Sequence, residues 1–355
     1  MAETPTPASE AAKSGLPEVR AAHGSRFVTS LKLILAAAII AALFWYDVID
    51  ARALLDLLSD PEKSTPSLAM LLVAFVLGGI RWYLILRTFG IFLRFRSVFE
   101  IYAIGAFGNS FLPGSTGGDV MRVVYLLRSV EKRKLRAAVS VFADRVVGLY
   151  GLLLVSMFVI ALRAETVFGQ PATQLFGLGV VSMFCAITVG GVALLLISQL
   201  LRESNLARAW EEASGWRRFA RMSLELVLIF RGALPALAAC IALSLAISSL
   251  IVGSVVSLAV SYGIADIDLL ELAGAAALAG LAGAVPLTPG GIGVAEGAFA
   301  FICAAWADAG SGAAYGTIYL GNRLLLLAVS LLGAIGFVTH RPTMSAGPQV
   351  TTRAP

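Results

Sequence analysis

The sequence predicts an all-α polytopic membrane protein with about six full spans and two re-entrant hairpins made of broken helices. Three observations lead to this fold class. Of the 355 residues, 58% are hydrophobic and 14% are charged, and the mean hydropathy is +0.86. Several apolar stretches reach the roughly 20 residues that a helix needs to cross a hydrocarbon core of about 30 Å. Two further apolar stretches are interrupted by proline and glycine, one in each half of the chain.

The predicted full spans are apolar stretches without an internal break. They are residues 30–46, 67–87, 137–162, 174–200, 232–262 and 313–338. The first span is similar to a signal peptide, but the long polar leader before it favours an uncleaved anchor. Residues 1–27 and 341–355 are polar and lack apolar periodicity, so we expect two disordered cytoplasmic tails around one membrane domain, residues 28–340.

The broken stretches are residues 98–127 and 270–304, and both contain the pattern P-x-[ST]-x-G-G. Proline removes a backbone donor and glycine frees φ, so a helix stops there and leaves backbone groups without intrahelical partners. In lipid such groups are tolerated only inside protein or beside water, which predicts two half-helices that meet at membrane depth. The break residues are Pro113, Gly114, Gly117 and Gly118, then Pro286, Pro289, Gly290, Gly291 and Gly293.

The basic residues predict the orientation. If both broken stretches are re-entrant, most of the 27 Lys and Arg residues fall on the cytoplasmic side. This count places Arg81 at the cytoplasmic end of its helix. Both termini are then cytoplasmic, and the hairpins enter from opposite faces, as in an inverted repeat. We expect a multi-pass protein of the cell membrane, the bacterial inner membrane. Residues 202–222 mix arginines with aromatic residues, which is typical of an amphipathic helix on the inner leaflet or of a polar loop.

Ionisable and polar residues lie beside the breaks, and [DN]-R-[VL] occurs in the span after each broken stretch, at 144–146 and 322–324. A charge near the bilayer centre costs about 2.5–3.5 kcal/mol on insertion scales, so each should be paired or face a cavity. Arginine suits bidentate phosphate binding, and the half-helices beginning near Gly117 and Gly291 point their positive dipole ends at the breaks. The candidate substrate-binding residues are Asn109, Asp119, Arg122, Asp144, Arg145, Glu296, Asn322 and Arg323.

Structural roles for these residues stay open beside the binding role. Asp119 or Asp144 can pair an arginine only to hold helices together, and Asn109 can satisfy freed backbone groups instead of lining a cavity. The three cysteines lie in apolar runs and the two histidines near the termini, so we expect no metal, no cofactor and no catalytic residue. The basic residues lie in short loops, where they set topology, so nucleic acid is not an expected partner.

These residues resemble the lysylphosphatidylglycerol synthase transmembrane-region family, also described as flippase-like membrane proteins. The resemblance is carried by 109–113, 117–122, Asp144-Arg145 and, most specifically, 286–296. It implies membrane lipids as ligands and a lipid-modifying enzyme or glycosyltransferase as partner. In the multiple-peptide-resistance enzymes of the family, a soluble C-terminal domain makes the aminoacylated lipid that the membrane part moves. This chain ends soon after its last predicted span, so we expect a transporter rather than an enzyme.

The leading hypothesis is therefore a lipid flippase or transporter for a phospholipid or a lipid-linked glyco- or polyprenyl-phosphate substrate. The alternative is a membrane-embedded transferase, or a non-catalytic helper that presents a lipid to a partner enzyme. A transferase needs an acid or base over the reacting bond, and Asp144 and Glu296 are the residues available for it. A channel or small-solute carrier is a third hypothesis, because half-helices also bind ions.

Overall fold

The computed structural model describes residues 59–111, 117–130, 134–203, 229, 232–285, 288, 291–307 and 315–333. These residues form ten helices and no strand. The helices are α1 (Pro61–Thr88), α2 (Phe95–Phe111), α3 (Gly117–Ser129), α4 (Lys134–Leu162), α5 (Ala164–Gly169), α6 (Pro171–Glu203), α7 (Leu234–Ser261), α8 (Leu269–Ala284), α9 (Val294–Trp306) and α10 (Tyr315–Ser330). The all-helical prediction is confirmed for this part of the chain.

Four helices are long and apolar enough to cross a membrane. They are Pro61–Thr88, Leu135–Leu162, Pro171–Ala193 and Leu234–Ser261, and they match four of the predicted spans. The chain is thus a multi-pass membrane protein. Of the last predicted span, the structure describes the 16-residue helix α10 and residues 331–333. The first span, both tails and the 202–222 segment from residue 204 on lie outside the described residues.

Helix α1 begins at Pro61, before the predicted start at residue 67. Asp60 is its N-cap and accepts a hydrogen bond from the amide of Lys63 at 3.4 Å, while Pro61 occupies the first turn. A hydropathy criterion misses this polar first turn because capping, not burial, stabilises it.

Helices α2 and α3 form the first hairpin. Gly105 faces Arg122, and further along α2 Gly108 faces Met121 and Gly118, so the two helices run antiparallel. They have 17 and 13 residues, or about 25 and 20 Å at 1.5 Å per residue, which is less than a bilayer core. Paired short helices in place of one long span are the arrangement that the proline and glycine pattern predicted.

Helices α8 and α9 form the second hairpin in the same way. Gly274 faces Trp306, and Gly283, later in α8, faces Ala295, earlier in α9. The helices have 16 and 13 residues. That each hairpin enters and leaves the membrane on the same face stays a prediction.

Helices α1 and α7 form the most extensive helix contact among the described residues. Ser67 of α1 donates a hydrogen bond to the backbone oxygen of Ser254 in α7 at 2.8 Å. Two other helices pack beside this pair. Helix α4 packs on α7 and α8, and α10, which follows the second hairpin as α4 follows the first, packs on α1 and α2. Glycines allow the close approaches, since Gly151 of α4 lies against Ser244 of α7.

We expect Asp268→Ala to lower the free energy of unfolding by about 1 kcal/mol at neutral pH, because Asp268 is the N-cap of α8. Its Oδ1 accepts from the amide of Leu270 at 2.8 Å. This hydrogen bond, together with Arg163, holds the pKa of Asp268 below the ordinary 3.8. Since the folded carboxyl has the lower pKa, its contribution is complete above the ordinary value and is lost as the pH falls through the lowered one.

The measurement is the unfolding temperature of the wild type and the Asp268→Ala variant in detergent, from neutral to strongly acidic pH. The two temperatures should converge in acid. Asp60→Ala is the control, because the Asp60 cap of α1 has the longer hydrogen bond of 3.4 Å and should matter less. A difference that persists unchanged in acid would show that the Asp268 charge is not responsible.

Candidate functional site

Five side chains of alternating charge form one continuous series next to the first hairpin. The Nε of Arg145 lies 2.8 Å from Asp119, and Asp119 lies 3.7 Å from Nη1 of Arg122. The Nη2 of Arg122 donates to Asp144 at 2.9 Å, and the Nε of Arg81 donates to the other oxygen of Asp144 at 2.9 Å. We call Arg145, Asp119, Arg122, Asp144 and Arg81 the charge series.

The charge series runs from the surface into the interior. The Arg145 side chain is 46% exposed and that of Asp119 is 16% exposed. The Arg122 and Asp144 side chains that follow are 6% and 5% exposed. A buried carboxylate between two guanidiniums is compensated, whereas each charge alone would be costly. Of these five described side chains, Arg145 at the exposed end is therefore the one that a ligand from outside meets first.

Local helix geometry explains these positions. Asp119 and Arg122 are three residues apart on α3, so they share a face. Asp144 and Arg145 are neighbours on α4, about 100° apart around the helix, so they face different directions. Asp144 points into the interior and Arg145 towards the surface, and Asp119 connects Arg145 to Arg122.

The sequence-based assignment of Arg81 to the cytoplasmic end of its helix stays a prediction, but the side chain itself is buried among the helices. It is 8% exposed and its Nη1 donates to Ser244 Oγ of α7 at 2.9 Å. Gly148 makes room, since a Cβ there would lie 3.1 Å from Arg81 Nη1. The available signal was an arginine well inside an apolar span, where an isolated charge needs a partner. No pattern in the sequence pointed to Ser244.

Aromatic rings surround the guanidinium of Arg122. Its Cζ lies 4.2 Å from the ring centroid of Trp82 and 5.2 Å from that of Tyr102. On another side the backbone of α2 is close, because a Cβ on Gly105 would overlap the aliphatic part of Arg122. Stacking on aromatic faces and pairing with two acids together fix this side chain in one orientation.

The second hairpin carries a smaller charged site. Glu296 lies in the first turn of α9 and is 1% exposed. Its Oε2 accepts from the amide of Gly293 at 2.7 Å, and its Oε1 lies 2.8 Å from Nε of Arg323 on α10. The Glu296–Arg323 contact is an ion pair without the angles of a hydrogen bond. Arg323 is the more exposed partner, at 22%.

The two hairpins share one connection. In each, an acid in the first turn of the second half-helix pairs with the arginine of [DN]-R in the following helix: Asp119 with Arg145, and Glu296 with Arg323. The preceding position of that motif differs. Asp144 pairs with two arginines, whereas Asn322 carries no charge, and its buried Oδ1 has no hydrogen-bond partner among the described residues.

Side chains satisfy backbone groups freed at the breaks. Asn109 Oδ1 accepts from the amide of Gly118 at 3.0 Å, which supports the structural role considered for Asn109. Thr288 donates to the backbone oxygen of Ile292 at 2.8 Å. Of the predicted break residues, Gly117, Gly118, Gly291 and Gly293 are in place at the half-helix starts. The others lie outside the described residues: Pro113, Gly114, Pro286, Pro289 and Gly290.

The helices and the buried charge series define a polytopic membrane protein with a polar site among its helices. A sequence model of the lysylphosphatidylglycerol synthase transmembrane region matches residues 31–333. The match covers most of the chain, so the protein belongs to this family, and the resemblance found in the sequence is confirmed. Family membership indicates a membrane lipid-related function. Comparisons with curated proteins and with solved structures found no match.

Proposed function

We propose that the protein is a lipid flippase or lipid transporter for a phospholipid or a lipid-linked glyco- or polyprenyl-phosphate. The observation that carries the proposal is the graded exposure of the charge series, from the half-exposed Arg145 to the buried Arg122 and Asp144. Lipid phosphates are the anions that a membrane supplies at its surfaces, and guanidinium groups bind them bidentately.

The lipid head group first meets Arg145. Its phosphate takes the place of the Asp119 carboxylate, so Arg145 exchanges one anion for another and keeps a counter-ion. The described charge series supports this step, because three arginines face two aspartates. Arg122 is buried and bonded to Asp144, so it is not the first contact. The acyl chains remain in the bilayer throughout.

The Glu296–Arg323 pair is the corresponding contact in the second hairpin. We place the two hairpins as an inverted repeat that opens to opposite faces of the inner membrane, with both termini in the cytoplasm. Each ion pair then serves one leaflet. A lipid-modifying enzyme or glycosyltransferase that makes or uses the same lipid is the partner that this function implies.

We expect Arg145→Gln to slow lipid movement by about tenfold or more, since a hydrogen bond between charged groups is lost while folding is retained. The assay uses proteoliposomes containing fluorescent phosphatidylglycerol or a fluorescent lipid-linked phosphate. Quenching from outside then reports the lipid that has changed leaflet.

Arg163→Gln is the matched control for Arg145→Gln, because Arg163 is also an exposed arginine in an ion pair, with Asp268 at 2.9 Å. It should transport at the wild-type rate. Wild-type protein that moves none of these lipids would contradict the proposal. Lipid that binds without moving would favour the helper function, and a chemically changed lipid would favour the transferase.

A further inference from the structure

Two buried hydrogen-bond donors without an acceptor lie at one contact beside the first hairpin. They are the indole Nε1 of Trp82 and the Nε of Arg122, and neither has a hydrogen-bond partner among the described residues. The two side chains are stacked, with 4.2 Å between the guanidinium carbon and the ring centroid. Buried donors are nearly always satisfied, because an unmade hydrogen bond loses the solvation of the group. Two of them together indicate a site for an acceptor.

The surroundings favour an anionic acceptor. Arg122 uses Nη2 for Asp144 and turns Nη1 towards Asp119, which leaves Nε for a further partner. In the charge series the arginines outnumber the aspartates by three to two. Trp82 adds a neutral donor and an apolar ring, so the site combines one charged and one uncharged donor. A phosphate group carries several acceptor oxygens and a negative charge, so it is the acceptor that suits one charged and one neutral donor.

We infer that Trp82 and Arg122 form an inner subsite that holds a phosphate oxygen of the lipid head group after it has passed Arg145. This inference rests on the proposed function and adds Trp82 as a binding residue. The path follows from the distances: the Asp119–Arg122 contact of 3.7 Å is the longest in the charge series. A phosphate that displaces Asp119 from Arg145 therefore also loosens the weakest contact of Arg122.

The test uses Trp82→Phe, which keeps an aromatic ring beside Arg122 and removes the indole donor together with one of the two fused rings. Full-length protein with ¹⁵N-labelled indole groups is placed in nanodiscs, and the spectrum of its five tryptophans is followed during titration. The Trp82 signal is the one that disappears in the variant. The probes are short-chain phosphatidylglycerol, short-chain diacylglycerol without phosphate, and inorganic phosphate.

Phosphatidylglycerol should move the Trp82 indole proton downfield, and diacylglycerol should leave it unchanged. The Trp82→Phe variant should bind phosphatidylglycerol roughly tenfold more weakly, the effect of one hydrogen bond to a charged acceptor. Trp306→Phe is the matched control, because the Trp306 indole already donates to Thr173 at 3.1 Å, and its affinity should equal that of the wild type.

Three outcomes would overturn the inner subsite. The Trp82 signal could respond equally to diacylglycerol, or Trp82→Phe could bind as tightly as the wild type. An equal response to inorganic phosphate would identify the free anion as the occupant. If Arg145→Gln still weakens lipid binding in these cases, the proposed function stands without the subsite. Wild-type protein that binds no phosphate-bearing lipid would contradict both.

Discussion

Asp144→Asn is expected to lower the free energy of unfolding by about 3–5 kcal/mol, because it removes the shared anion between two buried arginines. Asp144 is 3% exposed and each of its oxygens accepts a 2.9 Å hydrogen bond, one from Arg81 and one from Arg122. Asparagine keeps the shape but not the charge. The second half of the chain has asparagine at the corresponding position 322, so the residue type itself is compatible with a buried helix.

A double variant separates charge from packing. In Arg81→Met with Asp144→Asn, one of the two uncompensated cations is also removed, and Arg122 retains Asp119 at 3.7 Å. We expect the double variant to be more stable than Asp144→Asn alone, with a coupling free energy above about 1 kcal/mol. The measurement is unfolding of the purified protein in nanodiscs or mild detergent, by heat and by denaturant.

The control is Glu100→Gln, which breaks the exposed Arg96–Glu100 pair on α2. Solvent screens that pair, so the change should be below about 0.5 kcal/mol. An Asp144→Asn variant as stable as Glu100→Gln would show that the charge series does not stabilise the fold.

Gly291→Ala is expected to lower the free energy of unfolding by about 2–5 kcal/mol and to abolish lipid movement. Gly291 has φ +70°, in the left-handed region that residues with a Cβ avoid. A Cβ there would also overlap the backbone oxygen of Gly283 on α8, which cannot rotate away as a side chain does. Both effects displace the chain just before Glu296, so the ion pair of Glu296 with Arg323 loses its geometry.

Gly179→Ala provides the matched comparison in unfolding and transport assays. A Cβ on Gly179, within α6, meets nothing within 4 Å, so alanine should be neutral or slightly stabilising in that helix. If Gly291→Ala transports like Gly179→Ala, the close approach of α8 to the start of α9 is not required for function.

Four of the six spans predicted from hydropathy are matched by long apolar helices, because the composition of such a helix is enough to identify it. The Asp119–Arg122 relation was also predictable, since residues three apart on a helix share a face. The contacts between distant helices were not predictable, because Arg81 reaches Asp144 from α1 and also donates to Ser244 on α7, and sequence spacing says nothing about such contacts.

Arg81 shows what a count of basic residues does not reveal, namely whether a side chain is buried among other helices. The count assigns each arginine by its position along the chain, whereas burial depends on the depth and the face of the helix. The polar start of α1 after Asp60 was not predicted for a different reason. Hydropathy is averaged over a window of residues, so it does not detect an N-cap.

Because position 144 is an aspartate and position 322 an asparagine, the helices around the two hairpins are linked by different sets of polar contacts. Through Asp144, four helices are tied into one unit: α1 by Arg81, α3 by Arg122, α4 itself, and α7 by Ser244. The start of α9 is tied to α10 through the ion pair of Glu296 with Arg323. Loss of Asp144 should therefore disturb the packing of four helices at once, whereas loss of the Glu296–Arg323 pair should disturb only α9 and α10.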